Sequence, residues 1–184
     1  MKKRNLVYIA IILMIAAVFI YFAVGHSNPQ VQRAAVYNSS APDYRFIAAN
    51  GSIMNLSEFS GKPVVIWFVA TWCSSCAQGD EALNKSYQFF RQHNIKIIEL
   101  EIYNDLGYKG MPIGQFVSDY AGNAYLNKTI IPAYAGYNMS VAYDPKGYLD
   151  IYYLVSGSGK IVYVNDNGMF DTVNQLIGAI NKSI

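Results

Sequence analysis

Residues 63–76 read PVVIWFVATWCSSC, and the interpretation of the whole chain starts from this stretch. Its first part, Pro63 to Ala70, is an unbroken apolar run, which is typical of a central strand covered on both faces of a sheet. The residues after it, up to His93, carry apolar side chains at helical spacing. The members of this stripe are Cys76, Leu83, Tyr87 and Phe90. The stretch therefore predicts a strand over 63–70 followed by a helix over 74–93.

The only cysteines of the chain, Cys73 and Cys76, lie where that strand gives way to that helix. A cysteine at a helix N-terminus faces unpaired backbone N–H groups and the positive end of the helix dipole, which stabilise its thiolate. Cys73 is therefore the predicted nucleophile. Cys76, one helical turn later, is placed to attack a mixed disulfide and release the product. The pattern predicts catalysis by thiol–disulfide exchange, with no bound cofactor and no metal ion.

Two other uses of the cysteine pair remain open. A zinc site needs four ligands, and the only histidines, His26 and His93, lie before the domain and at the far end of the helix, so that only a half-site shared between two chains would serve. A structural disulfide is the second alternative, because exported domains often carry them. Closing so short a loop gains little entropy, however, so a stabilising role has a weak physical basis.

The rest of the chain reads as an α/β domain from residue 44 to residue 184. The predicted strands are 44–48, 52–56, 63–70, 95–102, 151–155 and 160–164. Asn50-Gly51 and the run Ser156 to Gly159 join two pairs of these strands as hairpins. Besides 74–93, helices are predicted over 113–120 and at the C-terminus, with Asp171 as N-cap. Residues 121–150, rich in tyrosine, are predicted to be irregular, which makes 103–150 a helical insertion in a sandwich with a mixed sheet.

The N-terminus predicts a membrane anchor within residues 1–25 and a linker over 26–43. Leu6 to Val24 contains no charged residue, and a helix of this length spans roughly 28 Å, close to the hydrocarbon thickness of a bilayer. Lys2, Lys3 and Arg4 precede it, which by the positive-inside rule keeps the N-terminus in the cytoplasm and places the domain outside. A cleaved signal peptide is the alternative, although its apolar region is usually shorter.

Charge and sequons also bear on location. Without the three N-terminal basic residues, eleven Lys and Arg face twelve Asp and Glu, so there is no electrostatic footprint for nucleic acid. The chain holds seven Asn-x-Ser/Thr triplets, where random placement of the same residues gives about one or two. They begin at Asn38, Asn50, Asn55, Asn84, Asn127, Asn138 and Asn181. This excess predicts N-glycosylation on an external surface, the alternative being that Asn and Ser simply cluster in turns.

The segment from Ser60 to Cys76 resembles the active-site region of thioredoxin-like proteins of the TlpA/ResA type. Residues 50–59 are similar to the N-terminal hairpin and turn of that family, and Gly159 to Tyr163 to its closing hairpin. The resemblance implies a thioredoxin-like fold and extracytoplasmic dithiol–disulfide exchange. It also implies that Trp72, Leu149 and Asp150 line the site, because Asp150 falls where the family carries a cis-proline. Pro145 or Pro132 takes that role instead if the register is shifted.

The chain also departs from the family behind the cysteines. Trp67 stands where relatives often have an acidic or amide residue, and Gly79 where an acidic residue commonly follows the second cysteine. Asp80, Glu81, Glu99 and Glu101 are the nearby acidic residues; a role in proton transfer is the alternative, but a solvated surface is the expected environment for them. A groove lined by Tyr148, Tyr152 and Tyr153 is conceivable, but tyrosines at these positions are expected to pack within the sheet.

The leading prediction is thus a tethered, exported thiol–disulfide oxidoreductase. Its predicted partners are exported protein thiols and disulfides, and a redox partner in or near the membrane that supplies or accepts electrons. The alternative is a glycosylated surface binding module that keeps the fold with little catalytic activity. Neither the physiological substrate nor the direction of exchange follows from Ser74-Ser75 between the cysteines.

Overall fold

The computed structural model describes residues 35–183, together with Met14. Apart from Met14, the predicted anchor over 6–24 lies outside the described residues, as does the first part of the predicted linker. Among the residues that are described, no helix has both the length and the hydrophobicity needed to cross a membrane.

A seven-stranded mixed sheet forms the centre of the domain. Its strands are β1 (Arg45–Ala48), β2 (Ile53–Asn55), β3 (Val64–Val69), β4 (Lys96–Glu101), β5 (Ile130–Ala135), β6 (Ile151–Val155) and β7 (Ile161–Asn165). They lie side by side in the order β2-β1-β5-β4-β3-β6-β7. β3, β4 and β5 run parallel to one another, and every other pair is antiparallel. All six residues of β3 are buried, as expected of its unbroken apolar sequence.

Helices cover both faces of the sheet and give a three-layer sandwich. They are α1 (Ser74–Gln92), α2 (Ile113–Tyr120), α3 (Gly122–Leu126), α4 (Tyr137–Tyr143) and α5 (Met169–Ser183). Side chains of α1, α2 and α5 share one core with the inward residues of the sheet, among them Leu83, Phe116 and Leu176. α4 packs on the opposite face, where the Tyr143 ring stacks on Phe68. A short 3₁₀ helix, Leu56–Phe59, and a tight turn over Tyr103–Gly107 complete the chain path.

The prediction for residues 121–150 was wrong. This region contains α3, the interior strand β5 and α4 rather than an irregular stretch. β5 escaped detection because Pro132 sits in its middle, and proline is normally confined to edge strands, since it has no N–H to give to a neighbour. Here the Pro132 carbonyl still accepts a hydrogen bond from the Ala49 N–H at 2.8 Å.

The predicted start of the last helix also needs correction. α5 begins at Met169, so Asp171 lies within its first turn and is not the N-cap. The Met169 N–H is instead bound by the carboxylate of Asp150, at 2.9 Å. The predicted inward face is confirmed for Val173, Leu176 and Ile180, whereas Ile177 is half-buried.

Residues 35–43, which form the end of the predicted linker, lie along the domain. The Ala35 N–H donates to the Ala142 carbonyl, and the Ala41 N–H donates to the Gly159 carbonyl, both at 2.8 Å. The division of the chain into anchor, linker and domain stays a prediction.

Candidate active site

Cys73 and Cys76 are joined in a disulfide at the point where β3 leads into α1. Cys73 is the N-cap residue of α1, with its Sγ accepting a hydrogen bond from the Cys76 N–H at 3.2 Å, and the Ser75 hydroxyl lies at 3.2 Å from the same sulfur. Donors at a helix N-terminus stabilise negative charge, so this geometry favours a thiolate at Cys73 after reduction. Cys73 is 7% exposed and Cys76 is fully buried. An incoming thiol therefore reaches Cys73 first.

The loop that carries the cysteines is held by Asp105. Its carboxylate accepts hydrogen bonds from the Thr71 backbone N–H at 2.9 Å and from the Thr71 hydroxyl at 2.7 Å. Its carbonyl accepts a third hydrogen bond, from the indole N–H of Trp72, at 2.9 Å. Asp105 thus binds the two residues that immediately precede Cys73. No pattern in the sequence singled out this residue, because its partner lies 34 positions away.

The backbone around Asp105 has an unusual conformation. Asn104, Asp105 and Leu106 all have left-handed backbone angles, with φ of 54°, 49° and 57°. This conformation is unfavourable for residues other than glycine, and least so for Asn and Asp. The returning chain at Gly110 then passes so close that a Cβ there would lie 1.9 Å from the Thr71 hydroxyl and 2.0 Å from the Asp105 carboxylate. Only glycine fits at position 110, so the local sequence is adapted to the Thr71–Asp105 contact.

Several exposed apolar side chains lie on the loops at the end of the sheet where β3 leads into the disulfide. Trp72 is 41% exposed, and its ring lies 4.9 Å from that of Tyr108, which is more exposed still. Leu106 is exposed beside Gly147, in the loop that precedes β6. Tyr148 is also exposed, with the Lys146 ammonium 5.3 Å from the centre of its ring. We call Trp72, Leu106, Tyr108 and Tyr148 the apolar rim.

Behind the disulfide lie two carboxyl groups, those of Asp80 and Glu99, both fully buried. Asp80 follows Cys76 by one turn of α1, and Glu99 is on β4, opposite Trp67 of β3. Within the described part of the chain, no N–H or O–H group donates to their oxygens. Each can bond to the other once one of them is protonated. Solvation of this region was predicted, and for Asp80 and Glu99 that prediction was wrong.

Burial dominates the protonation of this pair. It raises the pKa of Asp80 to about 8, with a further upward contribution from the charge of Asp150, while the bond to Glu99 acts in the opposite direction. Burial, and then the charge of Asp80, raise the pKa of Glu99 well above its usual range. The pair therefore holds a proton at neutral pH. Among the other acidic residues considered, Glu81 is exposed as predicted, and burial beside Asp105 raises the pKa of half-buried Glu101 to about 7.

The sequence matches the Redoxin family over residues 37–172. The chain belongs to the Redoxin family. Its curated relatives include the thiol-disulfide oxidoreductase ResA of Bacillus cereus, 26% identical over 120 residues that cover 65% of this chain and 67% of the relative. ResA of Bacillus subtilis is 23% identical over 174 residues, covering 94% of this chain and 90% of the relative. The resemblance to the TlpA/ResA type that was predicted from the active-site segment is therefore confirmed.

The thioredoxin-like fold is confirmed by solved structures. A putative protein disulfide isomerase from Bacteroides thetaiotaomicron superimposes with a TM-score of 0.62 at 20% identity. The match covers 81% of this chain and 90% of that protein. At this identity the likeness concerns the fold alone.

Asp150 of this Redoxin protein is the residue immediately before β6, where the family resemblance placed it. Its backbone N–H donates to the Phe68 carbonyl at 3.0 Å, and its φ is 66°. Its carboxylate bonds to the Trp67 indole N–H at 2.8 Å as well as to the Met169 N–H. Asp150 thus joins β3, β6 and the start of α5. Pro132, by contrast, lies inside β5.

Two departures of this Redoxin protein from its relatives have a common cause. The Trp67 ring is fully buried against α1, and a Cβ at Gly79 would lie 2.8 Å from two of its carbon atoms. Met169 would be 2.9 Å from the same Cβ. A side chain at position 79 and a tryptophan at position 67 therefore exclude each other. The acidic group appears one position later, at Asp80.

The other predicted site residues are placed as follows. Leu149 is half-buried and packs against the core cluster that contains both cysteines. Tyr152 and Tyr153 are buried in the sheet, which confirms packing rather than a groove, while Tyr148 alone of the three is exposed. Of the seven sequon asparagines, Asn84 is half-buried and accepts a hydrogen bond from the Ala124 N–H. The other six are exposed: Asn38, Asn50, Asn55, Asn127, Asn138 and Asn181.

Proposed function

We propose that this protein catalyses dithiol–disulfide exchange on exported proteins, with Cys73 as the nucleophile and Cys76 as the resolving thiol. The observation that carries the proposal is the asymmetry of the pair. Cys73, at the N-terminus of α1, is 7% exposed, whereas Cys76 is fully buried. A partner thiolate can attack the Cys73 sulfur and cannot reach Cys76. The names of the ResA relatives support the same activity.

Reduction of the enzyme by its redox partner starts from the Cys73–Cys76 disulfide. A thiolate of the redox partner attacks Cys73 Sγ, a partner–Cys73 disulfide forms, and the Cys73–Cys76 bond breaks with its electron pair on Cys76. That thiolate is buried and costly to leave charged. The Asp80–Glu99 pair, one helical turn away, supplies a proton to Cys76. A second partner thiolate then releases Cys73, so that the protein gains two electrons and the partner becomes a disulfide.

Reduction of a substrate uses the same groups in reverse. The Cys73 thiolate attacks one sulfur of a substrate disulfide, and the other substrate sulfur leaves as a thiolate. Cys76 returns its proton to the Asp80–Glu99 pair, attacks Cys73 Sγ and expels the second substrate sulfur. Two electrons pass to the substrate, and the Cys73–Cys76 disulfide is restored. Oxidation of a dithiol substrate is this sequence run backwards.

The experiment is to trap the mixed disulfide. The full-length Cys76→Ser variant should accumulate a covalent adduct with a disulfide-bonded peptide, because the resolving thiol is missing. The Cys73→Ser variant is the matched control and should form at least about tenfold less adduct, since its remaining thiol is buried. Adducts of equal yield in the two variants would contradict the assignment. Absence of adduct in both would favour a binding module.

We further propose that the domain is held outside the cell membrane by the apolar segment 6–24 and that it is glycosylated. The uncharged length of that segment and the basic residues before it support the anchor. The exposure of six sequon asparagines supports glycosylation. Asn84 should stay unmodified, because a glycan there would have to displace the contact with Ala124. Glycopeptide mapping of the native protein tests which asparagines carry glycans and whether Asn84 is unmodified. A native mass equal to that of the bare polypeptide would contradict glycosylation.

A further inference from the structure

A group of basic residues lies at the end of the sheet that is farthest from the disulfide. Lys62 precedes β3, Lys96 is the first residue of β4, and Lys128 precedes β5. Because these three strands are parallel, their first residues share one edge of the sheet. The disulfide follows the other end of β3, so a six-residue strand, about 20 Å long, separates it from this edge.

Three further cations join this edge from neighbouring elements. Arg91 is in the last turn of α1, which runs from the disulfide towards Lys96. Lys160 lies in the β6–β7 hairpin, which contacts the residue before Lys62 through a hydrogen bond from the Gly61 N–H to the Gly157 carbonyl. Lys182, at the end of α5, lines the same surface depression as Ser156 of that hairpin. We name the six residues the basic edge.

Two acidic residues of the described chain, Asp43 and Glu58, lie near Lys62. Asp43 and Lys62 line one shallow pocket, and Glu58 lies in the 3₁₀ helix that borders it. The carboxylates of Asp43 and Glu58 are bound to the backbone N–H groups of Ser57 and Asn55. The lysines also act on one another, since burial and then the charges of Lys128 and Lys62 lower the pKa of Lys96. Such crowding of like charge is unfavourable in isolation and is relieved by an anionic partner.

We infer that the basic edge binds the anionic phospholipid headgroups of the membrane to which the chain is attached. This inference rests on the proposed anchor. Ten residues, 25–34, separate the predicted anchor from Ala35, and a fully extended chain of that length spans at most about 35 Å. The domain is therefore held within reach of the bilayer surface. Each basic residue brought to an anionic surface strengthens binding by about fivefold.

This docking has a consequence for the active site. With the basic edge on the headgroups, the Cys73–Cys76 disulfide and its apolar rim face away from the bilayer, towards exported proteins. A partner embedded in the membrane can reach the disulfide only when the edge is released. Lipid charge then controls which of the two partners the enzyme meets.

The test is a lysine acetylation footprint of the full chain in nanodiscs. One set contains only phosphatidylcholine, and the other contains about 30% phosphatidylglycerol. Lys62, Lys128 and Lys160 should react at least about fivefold more slowly in the anionic set, and about 0.5 M salt should abolish the difference. Lys109 and Lys146, on the disulfide side, are internal controls and should react equally in both.

Charge variants of the protein provide a second test, and the two possible negative results can be told apart. Lys182 should be protected in the same way; the Lys62→Gln, Lys128→Gln, Lys160→Gln triple variant should lose this protection, whereas Lys109→Gln with Lys146→Gln should keep it. Equal acetylation of the basic edge in both lipid sets would overturn the inference. Loss of the protein from the nanodisc would contradict the proposed anchor and, with it, the inference about the basic edge. Adduct formation by Cys76→Ser needs no lipid and therefore fails independently.

Discussion

Both oxygens of the Asp105 carboxylate are bonded to Thr71, at 2.9 Å from its backbone nitrogen and 2.7 Å from its hydroxyl. This contact fixes the strand-to-helix turn just before Cys73. The activity of a Redoxin protein depends on where the nucleophilic sulfur stands, and here a residue on a distant loop sets the path of the turn that carries it.

The first prediction concerns this contact. Asp105→Ala leaves the buried N–H and hydroxyl of Thr71 without acceptors and should cost about 2–4 kcal/mol of stability. It should also lower the rate of adduct formation by about tenfold, because Cys73 loses its fixed position. Asp105→Asn is the matched control, since an amide oxygen still accepts from the Thr71 N–H and asparagine tolerates the left-handed backbone. Equal rates for Asp105→Ala and wild type would show that the contact has no part in positioning Cys73.

The second prediction concerns pH. Asp80 and Glu99 bind protons more tightly in the folded protein than in the unfolded chain, whose carboxyl groups titrate near pH 4. The stability that they contribute is therefore complete below pH 4 and is lost as the pH rises through about 8. Urea unfolding of the oxidised protein should show stability falling between these limits by about 1.4 kcal/mol per pH unit for each proton that the folded pair holds and the unfolded chain does not.

Asp80→Asn should reduce this pH dependence by the contribution of Asp80 and leave that of Glu99, because burial by itself raises the pKa of Glu99. Glu81→Gln changes the exposed neighbour on the same helix and should leave the slope unchanged. A slope in Asp80→Asn as steep as that of the wild type would show that Asp80 does not carry the proton.

The third prediction compares two helical glycines. Alanine in a helix interior is usually favoured over glycine by about 1 kcal/mol. Gly178→Ala in α5 should show this gain, since no atom lies within 4 Å of the new Cβ. Gly79→Ala in α1 should instead destabilise by about 1–3 kcal/mol, because its Cβ would overlap the Trp67 ring. Thermal unfolding of the two variants decides the matter, and a stabilising Gly79→Ala would mean that the Trp67 packing is loose.

The fourth prediction concerns Asp150, the position at which the family resemblance implies a cis-proline. Asp150→Pro should be strongly destabilising, by about 3 kcal/mol or more, because proline fixes φ near −65° and lacks the N–H that bonds to Phe68. Asp150→Asn should be tolerated, since asparagine keeps an acceptor for the Trp67 indole and accepts a positive φ. Chemical unfolding measures both variants. A proline variant as stable as the asparagine variant would refute the structural role assigned to Asp150.

The part of the site that is formed by residues close together in the chain could be predicted from the sequence. The apolar run of β3, the stripe of α1 and the cysteines between them lie within thirty residues, so periodicity and spacing predict their arrangement. Asp80 also follows Cys76 by four positions and precedes Leu83 by three, which places it on the buried stripe. Its spacing therefore held a usable signal, and the general preference of carboxylates for the surface outweighed it.

The remaining features depend on contacts between distant segments. Strand β5 could not be predicted from residue propensities, because Pro132 lies in its middle. These residues form a strand through their pairing with β4 and β1. Asp105 acquires its role because the loop after β4 returns to Thr71. The basic edge likewise exists only because β3, β4 and β5 are parallel, which brings together lysines that are more than thirty residues apart in sequence.

A redox titration of the full chain is the most direct test of whether Cys73 and Cys76 form a reversible redox pair. The protein is equilibrated with glutathione or dithiothreitol buffers of stepped potential, free thiols are alkylated, and the mass of the Cys73–Cys76 peptide reports the oxidised fraction. We expect one reversible two-electron transition, in which a change of about 30 mV alters the ratio of disulfide to dithiol tenfold. We also expect that the Cys73→Ser variant shows no such transition. A disulfide that resists reduction at every accessible potential, or one that does not re-form, would contradict the assignment of this protein as a thiol–disulfide oxidoreductase.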